Sequence, residues 1–149
     1  MALQWTSALS SGVAELDAQL EELFRRVDRL LDAILARDRS EASRLLEFLQ
    51  HHVTNHFAAE ERLMREVEYP DAERHVAEHL AFASQIDALA GWLAAEGASA
   101  RLVLRLEREV TAWLQDHVYG TDHALARFVA TRQSDQAFAQ RAGAPVRAS

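Results

Sequence analysis

Residues 41–66 read EASRLLEFLQHHVTNHFAAEERLMRE. Leu45, Leu49, His52, His56 and Leu63 recur at three- and four-residue spacing, so the segment is a helix with one inward face. That face mixes leucine with imidazole, which sets the problem for the rest of the chain. Upstream, Val13, Leu16, Leu20, Leu23, Val27, Leu30 and Ile34 form a stripe over about Val13 to Ala36. Arg37-Asp38-Arg39-Ser40 is a polar break, with Ser40 the expected N-cap. Downstream, Tyr69-Pro70-Asp71 closes the second helix, because a residue before proline avoids the α region. A third helix, about Asp71 to Ala95, carries His75, His79, Phe82, Ile86, Leu89 and Leu93, and Glu96-Gly97 is its stop. A fourth, about Ser99 to Arg132, carries Leu102, Leu106, Val110, Trp113, His117, Leu125 and Phe128.

Four amphipathic helices with short joints predict an all-α, up-down-up-down four-helix bundle with an N-terminal arm. Residues 1–132 are the expected domain, and 133–149 a frayed or disordered C-terminal tail. Helices of ~24 residues span ~36 Å, enough for a central site with apolar layers on both sides. Composition agrees. Only five Gly and two Pro interrupt 149 residues, against 49% apolar content, which disfavours turn-rich β folds. The net charge of −7 comes with no basic run, so no nucleic-acid partner is expected. The chain has no Cys, which excludes thiolate metal sites and disulfides. No apolar run reaches membrane-spanning length, and Met1 to Ser11 is unlike a signal peptide. A cytoplasmic monomer without a membrane partner is the expectation.

Five of the seven histidines, His52, His56, His75, His79 and His117, fall on the apolar faces. His56 and Glu60 are one turn apart on one helix, and His75 and His79 on the next. His117 and Asp122 are five apart, about 140° around a regular helix. A local π turn would bring them together, and Gly120 between them eases the distortion. Buried imidazoles and carboxylates are costly unless paired or bound to metal. Imidazole and carboxylate without thiolate suit iron, manganese or zinc, and two carboxylates among the histidines suggest a bridged pair of ions. His51 and His123 fall off the stripes, on the surface. Phe57 and Trp113 are packing, or an apolar wall beside the ligands. Tyr119 is expected partly exposed, and Glu61 and Glu78 belong to solvated faces.

The sequence resembles the bacterial hemerythrins. The matching text is His56-Phe57-Ala58-Ala59-Glu60-Glu61, Met64, Tyr69-Pro70, His75-Val76-Ala77-Glu78-His79 and Trp113-Leu114-Gln115-Asp116-His117-Val118-Tyr119-Gly120-Thr121-Asp122, with Trp5 and Asp17-Ala18-Gln19 near the start. The likeness covers about residues 3 to 131. It implies a non-haem site of two Fe ions, bridged by carboxylate and oxo groups, that binds O2 as a carrier, store or sensor, with small anions as further ligands. It also implies that His75, His79 and His117 hold one iron, that His56 holds the other, and that Glu60 and Asp122 bridge. The family places a further histidine ligand after Asp-x-Gln on the first helix; here that position is Leu20. Three outcomes stay open: both irons with extra solvent or anion, a single iron at the three-histidine position, or replacement by another side chain, for which His52 is the candidate. An extra open position would also suit a diiron oxidase or peroxidase activating O2 or H2O2. A metal- or redox-sensing interaction domain is the third reading.

Overall fold

The computed structural model describes residues 4–143. It forms four long helices. Helix α1 is Ala14–Leu35, α2 is Arg39–Glu66 and α3 is Ala72–Glu96. Helix α4 covers residues 100–142 and contains two π turns, Leu106–Thr111 and His117–Asp122. Each joint is short, so neighbours run antiparallel, and α1 packs on α2 and α2 on α3.

The helix ends follow local chemistry. Asp38, rather than Ser40, caps α2: its carboxylate accepts from the Glu41 N–H at 3.0 Å. The preference for a short oxygen-bearing residue is met two positions earlier than the apolar pattern suggests. Ser99 caps α4 by accepting from the Leu102 N–H at 3.2 Å. Gly97 ends α3 at φ 72°, a conformation that disfavours side chains with a Cβ.

The arm is anchored. Ser7–Leu9 form one 3₁₀ turn, and Leu9 is buried. The Ser11 N–H and hydroxyl donate to Asp17 Oδ1 at 2.7 and 2.8 Å, and the Ser10 hydroxyl donates to its other oxygen at 2.5 Å. Burial pushes the Asp17 carboxyl up, but these donors hold it below its ordinary value.

The core divides in two. Leu20, Leu23, Phe24, Leu30, Leu49, Phe82, Leu106 and their neighbours fill the larger cluster, which reaches Phe57, Leu114 and Val118. Met64, Tyr69, Leu125 and Val129 fill the smaller one. Each of α2, α3 and α4 carries its polar inward residues between its contributions to the two clusters. The site is therefore set between apolar layers.

The tail differs from expectation. Helix α4 continues through Ala142, because nothing breaks the helix before Gly143. Its last deeply buried residue is Val129, and positions 133–142 are exposed. The expected tail also includes 144–149, which lie outside the described residues.

Candidate metal centre

All six expected ligand residues meet at one level of the bundle. His56, Glu60, His75, His79 and His117 are buried, and the Asp122 side chain is 13% exposed. Glu60 is the hub. Its Oε1 lies 3.1 Å from His56 Nε2, and its Oε2 lies 3.2 Å from His75 Nε2 and 3.0 Å from His79 Nε2. Asp122 Oδ1 lies 3.1 Å from His75 Nε2 and 3.0 Å from His117 Nε2. The second of these contacts exists because the backbone from His117 to Asp122 is a π turn, which stacks residues five apart. Gly120 does not adopt positive φ there, so its special freedom is not what permits the turn.

Donor atoms from Glu60, His75, His79, His117 and Asp122 all lie within 4.8 Å of one another. His56 is outside that group and meets it only through Glu60 Oε1. Leu20 is buried within the larger apolar cluster and brings no donor. The other candidate on that side, His52, is turned away: its Nε2 is 2.6 Å from the Gln19 carbonyl, and its ring stacks on Phe48.

The donors fit a metal ion. His56 Nε2, His79 Nε2, His117 Nε2 and Asp122 Oδ1 are buried without a hydrogen-bond partner, despite neighbours at 3.0–3.1 Å. Two ligands at right angles, each ~2.1 Å from one ion, sit ~3.0 Å apart. The spacing is thus that of ligands sharing an ion, while the alignment is poor for hydrogen bonds.

The outer nitrogens of three rings are held by protein. His56 Nδ1 is 3.0 Å from Gln19 Oε1, His79 Nδ1 is 3.1 Å from Glu61 Oε1, and His117 Nδ1 is 2.6 Å from Glu78 Oε2. The Thr121 hydroxyl also donates to Glu78 Oε2, at 2.8 Å. Such acceptors fix the proton on Nδ1 and leave the Nε2 lone pair facing inward. Glu61 and Glu78 are therefore not simply residues of solvated faces, as the helical pattern suggests: each is half-buried and orients an imidazole. Gln19 and Thr121 play such roles without standing out in the helical pattern. A signal existed for all four, because every ligating histidine needs an acceptor for its other nitrogen.

Aromatic rings close the site. Phe57 stacks on His79 at 3.8 Å between centroids, and Trp113 stacks on His117 at 4.4 Å and on Phe82 at 4.3 Å. His51, His123 and Tyr119 are exposed.

Burial pushes the Glu60 carboxyl up, but three imidazoles outweigh it and hold the group well below its ordinary value. Burial pulls the His75 imidazole down, but bonds and charge from Asp122 and Glu60 push it up to about 9. His56 and His117 are raised for the same reason, against burial.

This arrangement is that of a known class of cation-binding helical domain. The hemerythrin HHE cation binding domain family matches residues 11–129, and the chain belongs to the hemerythrin family. The bacteriohemerythrin of Aquifex aeolicus is 30% identical over 112 residues, 75% of this chain and 86% of the relative. That of Stenotrophomonas maltophilia is 28% identical over 125 residues, 83% of this chain and 79% of the relative. A crystal structure of a hemerythrin leucine-to-tyrosine mutant matches with a TM-score of 0.74 and 29% identity, over 85% of this chain and 97% of that one. No helix among the described residues is long and apolar enough to cross a membrane.

Proposed function

We propose that the chain is a non-haem iron protein that binds O2 between its helices, as a carrier, store or sensor. The observation that carries this reading is the set of five converging donors, of which His79 Nε2, His117 Nε2 and Asp122 Oδ1 are buried without a hydrogen-bond partner yet stand at ligand spacing. His75, His79 and His117 would hold one iron, His56 would serve a second, and Glu60 and Asp122 would bridge. Iron held there supplies the redox-active centre that O2 binding needs. The chain's own residues do the rest. Gln19, Glu61 and Glu78 orient three imidazoles, and Phe57, Phe82 and Trp113 exclude water from the inner face. The His56 side is short of nitrogen, since Leu20 offers none.

That shortage favours a second reading, a diiron oxidase or peroxidase acting on O2 or H2O2 at the under-ligated side. One experiment separates the two. The metal-free protein is loaded anaerobically with ferrous iron, metal per chain is counted, and air is admitted while the visible spectrum is recorded. Two irons with a stable band that bleaches on deoxygenation support the O2-binding reading. Rapid oxidation with peroxide consumption supports the enzyme. Failure to retain iron overturns both.

A further inference from the structure

A cleft of about 470 Å³ opens on the surface between α3 and α4. Tyr69, Asp71, Arg74, Glu78, Trp113 and Asp116 line it, and His75 and His117 lie in its wall. The other described clefts include none of the six cluster residues. Arg74 Nε lies 3.8 Å from Glu78 Oε1, and the carboxylates of Asp71 and Asp116 line the same cleft, so its rim attracts cations. A divalent ion with six waters needs about 200 Å³ at ~30 Å³ per water, which the cleft accommodates.

His75 supplies the second observation. It is 1% exposed, and its Nδ1 has no partner. His56, His79 and His117 are each held at Nδ1 by Gln19, Glu61 and Glu78. His75 is thus the cluster ring that can tilt without breaking a bond at its outer nitrogen, and it stands in the wall between cleft and cluster.

We infer that this cleft is the loading route by which a hydrated divalent cation reaches the cluster, steered by Asp71 and Asp116 and passed inward beside His75. The inference rests on the metal-binding reading above. Glu78 braces His117, so Asp71 and Asp116 are the carboxylates whose only part is to attract the ion. Arg74, 84% exposed at the rim, opposes it.

The test is stopped-flow uptake of cobalt(II) by the full metal-free chain, followed by the visible ligand-field bands at low ionic strength. Asp71→Asn combined with Asp116→Asn is expected to slow uptake about threefold or more and to weaken its salt dependence. The final cobalt count and spectrum should match the unsubstituted chain. Arg74→Ala should accelerate uptake with the final cobalt spectrum and the melting temperature unchanged, a combination that loosening of the fold cannot imitate. Neutralising Glu47 and Glu107, both exposed on other faces, should leave the rate unchanged. Equal slowing by that control pair, or unchanged rates in the cleft variants, overturns the loading route while leaving the metal site standing. Absence of cobalt uptake by the unsubstituted chain overturns the metal site itself, and the route with it.

Discussion

Glu78 Oε2 sits 2.6 Å from His117 Nδ1, and this contact ties α3 to the π turn of α4. Burial pushes the Glu78 carboxyl up, but the Thr121 hydroxyl and His117 hold it below its ordinary value, so it stays an acceptor. Glu78→Ala removes that acceptor and frees the ring to turn. Metal affinity is expected to fall about 10–100-fold, the usual scale for losing the partner of a ligating histidine. Competition against a chromophoric chelator measures it, and unchanged affinity would show that the ring is held by packing alone.

Leu20→His places an imidazole beside the under-ligated side of the cluster. The unsubstituted chain should keep one metal per chain after mild chelation, and the variant two. The metal-free variant should lose about 1–3 kcal/mol, because a polar ring replaces a leucine that is 5% exposed. Elemental analysis and chemical denaturation read the two effects separately. Equal metal counts would contradict the shortage argued for His56.

Stability of the metal-free chain should depend on pH on both sides of a plateau. His75 is raised from 6.5 to about 9, so its contribution is whole below pH 6.5 and is lost as pH climbs through about 9. Glu60 is lowered from 4.5, so its contribution is whole above pH 4.5 and is lost as pH falls through its depressed value. The melting temperature should therefore be highest between these ordinary values. A melting temperature that does not fall on the alkaline climb would show that the His75 pairs contribute no net stability.

Leu49→Ala tests the larger apolar cluster away from the ligands. Leu49 has no exposed surface, and its loss should cost about 2–5 kcal/mol with little change in metal count. A cost well under that range would mean that the helices collapse onto the gap.

The helices and the six inward polar residues were legible because burial imposes a period, and the ligand residues share that period with leucine and phenylalanine. The π turn at His117 was legible for a related reason: two cluster residues five apart cannot share a regular helical face. The turn at Leu106–Thr111 carries no such pair and gave no warning. Glu61 and Glu78 flank the stripe, so the helical pattern alone places them in solvent. Whether a flanking carboxylate reaches water or a neighbouring helix's imidazole depends on helix rotation and register, which one strand of sequence does not encode. His52 illustrates the converse. It shares the stripe of His56, yet the Gln19 carbonyl captures it.

The π turn at His117–Asp122 amounts to one surplus residue in the chain's phase. Wound as a regular α-helix with every residue kept, the segment would advance by that surplus residue. Asp122 would then swing about 100° away from His117, the angle of one residue step. Every residue from His123 onward would turn with it, taking Leu125 and Val129 off the smaller apolar cluster. The fourth helix therefore serves the centre through its winding as much as through its ligands: a change that favours regular α-helix over the π turn would unseat Asp122 while leaving every ligand residue in the chain.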